Sequence, residues 1–185
     1  LWNLMAKRAG SSGAVFVWMF TACSSAILWP AAVYVCFAQR PDIGWTGLGF
    51  MFGTALLHLL YFIVLQRGYR IGDLSLVYPL ARGTGPALST FGAVLILKEK
   101  PSAGTLLGLG LVVGGVLLLT WRSGQRDADE TRKPAVFWGV LCGICIATYS
   151  VWDKYAVSEV DVPPILLELF TGLAICLMLT PHALS

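Results

Sequence analysis

Four stretches of this chain, 9–39, 43–66, 101–121 and 134–152, contain no Asp, Glu, Lys or Arg. A helix in water keeps a solvated face, so charge-free runs of this length have no stable place in a soluble domain. A hydrocarbon core about 30 Å thick instead asks for roughly 20 apolar residues per spanning helix. With 57% hydrophobic residues, 12% charged residues and a mean hydropathy of +0.74, the 185 residues read as a polytopic membrane protein. The longest polar stretch, Arg122 to Pro134, is too short for a separate soluble domain. The expected fold class is all-α, a transmembrane helix bundle.

Spanning helices are predicted at 14–37, 45–66, 74–97, 103–121, 135–155 and 163–180, after a truncated helix that ends near Ala6. Charge together with Gly or Pro marks the loops between them. The chain opens at Leu1 and stops soon after the last helix, so it reads as a fragment of a longer protein. Short loops make neighbouring helices antiparallel, which puts loops 7–13, 67–73 and 122–134 on one side. That side carries eight basic residues (Lys7, Arg8, Arg67, Arg70, Arg122, Arg126, Arg132, Lys133) against four on the other (Arg40, Lys98, Lys100, Lys154). The positive-inside rule makes the eight-residue side cytoplasmic.

A repeat is suggested at an offset of 150, where Trp2, Ala6, Phe20 and Thr21 recur as Trp152, Ala156, Phe170 and Thr171, and Asn3 recurs as Asp153. Such a repeat holds five helices, an odd number, so its two copies have inverted topology, with substrate expected between them. On the helix at 103–121, Gly104, Gly108 and Gly115 share one face and Gly110 and Gly114 another. Both faces are expected to pack closely against neighbours, as small-xxx-small seams do in membranes. A homodimer is a separate expectation for the partners of the chain.

Ionisable groups inside hydrocarbon cost several kcal/mol and are functional candidates by default. Arg82 lies roughly 12 Å into its helix, sharing a face with Tyr78 and Pro86. Pro79 frees a carbonyl nearby, as a pocket wall would. His58 is expected at a similar depth, with Tyr61 one turn away and Trp2 and Asn3 on the same side. These six residues, Arg82, Tyr78, His58, Tyr61, Trp2 and Asn3, are the candidate substrate-binding set. Glu168 and Asp153 are candidate coupling carboxylates. Structural alternatives stand beside each: Arg82 can snorkel, His58 can be a packing residue, and Glu168 can sit at the interface.

The five cysteines all fall in apolar segments, and Cys142 and Cys145, spaced C-x-x-C, read as small packing residues. The two histidines, His58 and His182, are not at metal-ligand spacing, and no helix face pairs two carboxylates, which argues against a membrane-embedded enzyme. No cofactor, metal or catalytic residue is expected. A net charge of +3 gives no ground for nucleic-acid binding. The expected partners are the lipid bilayer and a small-molecule substrate.

The run Asp73-Leu-Ser-Leu-Val-Tyr-Pro-Leu-Ala-Arg82, continued by Gly83-Thr-Gly-Pro86 and closed by Leu97-Lys-Glu-Lys-Pro101, resembles the end of the first EamA repeat of the drug/metabolite transporter superfamily. The Trp2-Asn-Leu-Met-Ala-Lys7 opening and the Gly-rich helix at 103–121 are similar to the same pattern. Where that family usually has Gly-Glu-Arg at the end of the fourth helix, this chain has Lys98-Glu99-Lys100. The resemblance implies ten helices in two inverted five-helix repeats, here a truncated first repeat over 1–121, a polar loop over 122–134 and the start of a second repeat over 135–185. It also implies a cytoplasmic N-terminus, the orientation opposite to the charge count. The function it implies is secondary transport of a small metabolite or drug-like solute by alternating access, in a bacterial cytoplasmic membrane. From another class, a non-transporting scaffold or receptor subunit would use packing glycines equally well.

Overall fold

The computed structural model describes residues 13–71, 74–98, 100–123 and 129–183. These residues form six α-helices and no strand: α1 Gly13–Gln39, α2 Trp45–Ile71, α3 Leu74–Ile96, α4 Ala103–Ser123, α5 Asp129–Ser158 and α6 Pro164–Ala183. The helix predicted to end at 66 runs on through Gln66-Arg67-Gly-Tyr-Arg70 to Ile71, and the one predicted from 135 starts six residues earlier, at Asp129. Both extensions are polar, and the apolar run that marks a span therefore says little about where its helix stops. Four helices are long and apolar enough to cross a membrane, over Ala14–Gln39, Trp45–Ile71, Lys133–Ser158 and Pro164–Pro181. Ala103–Leu118 of α4 is apolar but shorter.

Helix ends follow local chemistry. Ser102 caps α4, its Oγ accepting from the Thr105 amide at 3.2 Å. Pro164 opens α6 where a missing N–H costs nothing, and the Pro163 carbonyl accepts from the Leu166 and Leu167 amides. Arg40, Lys98 and Asp161 have left-handed backbone, with φ of 43°, 53° and 57°, just past the ends of α1, α3 and α5. The Val162 amide closes the last of these turns on the Ala156 carbonyl at 3.1 Å.

The chain divides into two compact units. The first comprises α1, α2 as far as Leu60, α5 from Trp152, and α6. In it α1 and α6 run antiparallel: Trp18 near the start of α1 donates to Thr180 Oγ1 near the end of α6 at 3.1 Å, and Ser25 further along α1 faces Gly172. Ala32, Val35, Met51, Ala156, Val162, Leu166, Leu167 and Leu169 form its buried cluster.

The second unit comprises α2 from Tyr61, α3, α4, and α5 as far as Val151. Here α3 and α5 approach through glycine. A Cβ on Gly139 would meet the Leu80 side chain at 2.8 Å and one on Gly85 the Ile146 side chain at 2.7 Å, while one on Gly143 would run into Thr84. Gly139 and Gly143 are a small-xxx-small pair, and this seam on α5 is the close one.

The α4 glycines expected to make such seams do not make them with the described residues. A Cβ on Gly108, Gly110, Gly114 or Gly115 would meet nothing within 4 Å, and one on Gly104 only Ser102 Oγ at 3.8 Å. The physical reason is which face of α4 is used: α4 packs on α3 through Val116, which fills the space left by Gly83.

Candidate functional site

Hydroxyl groups in apolar helices are ordinarily satisfied by their own backbone, and six threonines here behave so. Thr21, Thr84, Thr90, Thr148, Thr171 and Thr180 each donate to the carbonyl four residues back, at 2.7 to 2.9 Å. Thr54 does not. It lies on α2, 2% exposed, and donates across to Oδ1 of Asp153 on α5 at 2.7 Å.

His58 stands one helical turn beyond Thr54 on the same face of α2. Helical side chains lean toward the N-terminus of their helix, so the imidazole of His58 reaches back over Thr54. Its Nδ1 lies 3.0 Å from the Thr54 carbonyl and its Nε2 3.9 Å from Asp153 Oδ2. Trp152, the neighbour of Asp153, lies against Gly53 with its indole N–H donating to the Phe50 carbonyl at 3.1 Å, and Phe50 stacks on Tyr155. These contacts fix the rotation of α5 against α2 and hold the Asp153 carboxylate over Thr54. Glu168, exposed on α6, adds a like charge that acts on Asp153.

In the second unit, Arg82 of α3 sets its guanidinium over the Tyr78 ring, with Cζ 5.9 Å from the centroid. Its positive charge also acts on Tyr61, Tyr69 and Cys142, all buried. Tyr61 meets Tyr149 edge to face at 5.5 Å. Pro79 and Pro86 both lie inside α3, and Pro86 has no N–H to offer the Arg82 carbonyl. Arg82 is thus an exposed cation over one aromatic ring, with its charge acting on two buried tyrosines.

Arg82, Tyr78 and Tyr61 thus fall together in the second unit, while His58 belongs to the first, beside Asp153. Trp2 and Asn3 lie outside the described residues, as does Asp73. Asp153, expected near a helix end, is joined to His58 and Thr54, and Thr54 was not among the candidates. The sequence carried a signal for it: Thr54 and His58 are polar residues four apart in an otherwise apolar helix. Cys142 and Cys145 are buried and free. A groove of about 420 Å³ beside α1 and α6 is lined by Ser25, Trp29, Pro30, Leu173 and Cys176 among others. The Ser25 hydroxyl, although buried, has no hydrogen-bond partner among the described residues.

Several apolar helices of spanning length, carrying an aspartate, a histidine and an arginine within apolar segments, define an integral multi-pass membrane protein. The family model that describes the EamA-like transporter family matches residues 2–121. The chain belongs to that family, and it is a membrane transporter in that general sense. No curated protein and no solved structure matches it.

Proposed function

We propose that this chain works in a secondary transporter that moves a small metabolite or drug-like solute by alternating access between two inverted five-helix repeats, in a bacterial cytoplasmic membrane. The observation that carries the reading is an ionisable pair, His58 and Asp153, inside apolar helices of an EamA-family chain. A charge in hydrocarbon is costly, and a packing role would be served at lower cost by apolar residues.

Support for inverted repeats comes from α1 and α6. Thr21 and Thr171, which match at the offset of 150, are both buried and each bonds the carbonyl four residues back. The two helices run antiparallel, as elements related by inverted topology must when they span an odd number of helices apart. A parallel repeat would leave them parallel.

In this reading Arg82, with Tyr78 and Tyr61, contacts the solute. A guanidinium offers a planar fork to carboxylate or phosphate, and the tyrosine rings suit an apolar body attached to it. Uptake or efflux of candidate solutes in sealed vesicles holding the protein is the test. No movement of any solute above that in protein-free vesicles would favour a scaffold or receptor subunit.

A further inference from the structure

We propose that the end of the second unit where α2 finishes and α5 begins holds an anionic phospholipid, with Arg67 and Lys133 on its phosphate and the exposed face of α5 against an acyl chain. Such a site stands whether or not a solute is moved. The candidate spans Trp45–Ile71 and Lys133–Ser158 finish and start at this level, so the groups here lie where hydrocarbon meets headgroups. Gly68 brings the two helices together: a Cβ there would meet Trp138 Cβ at 3.2 Å and the Val77 side chain at 3.1 Å. Its neighbour Arg67 is thereby placed over the Trp138 ring, Cζ 5.6 Å from the centroid, and stays exposed. The ring positions the guanidinium but offers no lone pair, so its five N–H donors need oxygen acceptors from elsewhere. Trp138 in turn meets Phe137 edge to face at 5.6 Å, and Phe137 is 61% exposed. On the same face of α5, Lys133 lies one turn before Phe137 and Ile144 two turns after it, both exposed. Cation, aromatic ring and apolar side chain thus follow one another along one face. From Lys133 to Ile144 is about 16 Å at 1.5 Å per residue, close to half of a hydrocarbon core about 30 Å thick. That is the reach of one lipid, with its charge at the boundary and its chain running to mid-membrane. On α2 the exposed residues Ile63, Arg67 and Arg70, four and three apart, repeat the order with the cations at the same end.

Charge decides the class of lipid. Among the described residues neither Arg67 nor Lys133 has a carboxylate partner. Both belong to the side that carries eight basic residues against four. A phosphate diester accepts from guanidinium and ammonium alike. Phosphatidylcholine brings a quaternary ammonium of its own, which cancels its phosphate and meets two like charges here. Phosphatidylglycerol carries the same phosphate with no cation. A soluble phosphate compound would use the two cations but leave Phe137 and Ile144 uncovered. Each basic residue near an anionic surface contributes about fivefold in affinity, so the two together are worth about 25-fold at low salt.

The test follows melting of the protein in detergent as phosphatidylglycerol or phosphatidylcholine is added, since a ligand held by the folded state raises the melting temperature. A saturable rise with phosphatidylglycerol, absent with phosphatidylcholine and smaller at high salt, is expected. Arg67→Gln combined with Lys133→Gln should move the midpoint of that rise to about 25-fold more lipid. Arg40→Gln combined with Lys100→Gln removes the same charge from the other side and should leave the midpoint in place. A second measurement needs no substitution: phosphatidylglycerol with a diazirine in its acyl chain should, on illumination, label α5 between Phe137 and Ile144. Equal rises with both lipids, an equal effect of the Arg40 and Lys100 changes, or labelling confined to other helices overturns the site. A rise of the same size with inorganic phosphate alone would assign the two cations to a soluble anion and overturn the lipid.

Discussion

Thr54 on α2 donates its hydroxyl hydrogen to Asp153 on α5 at 2.7 Å, whereas the other buried threonines, Thr21 and Thr171, turn theirs back on their own helices. That difference makes Thr54 a link between two helices and not a satisfied bystander. Thr54→Val keeps the shape and removes the donor, leaving Asp153 Oδ1 without it. The expected cost is about 1 to 2 kcal/mol, the upper range for interhelical hydrogen bonds in membranes. Thermal unfolding in detergent measures it, with Thr54→Ser as the variant that restores the bond. Identical melting of wild type and Thr54→Val would remove Thr54 from the site.

Lys98 adopts φ 53° just beyond α3, in the place where the family pattern has glycine. A left-handed residue past a helix end suits glycine because it has no Cβ to crowd the following carbonyl. Lys98→Gly should therefore stabilise the chain by about 0.5 to 1 kcal/mol after allowing for glycine's greater freedom when unfolded. The same measurement with Lys98→Ala is the control, since alanine keeps the Cβ. Equal gains from the two substitutions would mean that the lysine side chain, and not the backbone, sets the turn.

The close seam of the second unit is on α5 and not on α4. An alanine at Gly143 places its Cβ on Thr84, with the Gly85 amide nitrogen 3.2 Å away, so relief requires two helices to separate. Gly143→Ala should cost about 1 to 3 kcal/mol, the usual range for overpacking. Gly108→Ala meets nothing within 4 Å and should be neutral or stabilising by up to about 1 kcal/mol, from helix propensity alone. Folded, monodisperse yield and melting temperature in detergent distinguish them. A larger loss at Gly108 than at Gly143 would put the seam back on α4.

How much of this was legible in the sequence depends on the kind of signal. The charge-free runs carried helix existence, because hydrocarbon forbids unpaired charge and backbone alike. Glycine spacing carried less. Five glycines on α4 look more like a seam than Gly139 and Gly143 do, yet which face meets a neighbour is decided by the partner: Leu80 and Thr84 on α3 sit opposite the α5 pair. The ionisable candidates stand out in the sequence as charges within apolar helices, but their grouping depends on helix rotation. Asp153 meets His58 because Trp152 lies against Gly53, a contact between residues nearly a hundred positions apart that no local pattern encodes.

Ser25 and Gly172 offer a direct reading of α1 against α6. A Cβ on Gly172 would strike Ser25 Oγ, a buried hydroxyl with no partner among the described residues. Ser25→Ala removes an unsatisfied polar atom and should be neutral or stabilising. Gly172→Ala alone should destabilise by about 1 to 3 kcal/mol through overpacking. In the double variant most of that loss should be recovered, because the next contact of the new Cβ, beyond 3.4 Å, is ordinary packing. A coupling energy near zero in this cycle would show that the two side chains do not touch.

Arg82 is the most exposed of these proposals to refutation. Its guanidinium lies over Tyr78, its charge acts on Tyr61, and Pro86 leaves the Arg82 carbonyl without its helical donor. If the cation holds the solute, Arg82→Gln should abolish transport in vesicles while insertion and yield stay close to wild type, since loss of the charge lowers the insertion cost by about 2.5 to 3.5 kcal/mol. Arg82→Lys keeps the charge as a point and loses the planar fork, so partial activity would indicate charge recognition and none would indicate bidentate recognition. Tyr78→Leu, which removes the ring beneath the guanidinium, should weaken apparent affinity by about 1 kcal/mol, or roughly fivefold, if the cation is positioned by the ring. Wild-type transport rates from well-inserted Arg82→Gln would mean that the arginine merely snorkels to the interface, and the solute contacts would then have to be sought at other residues.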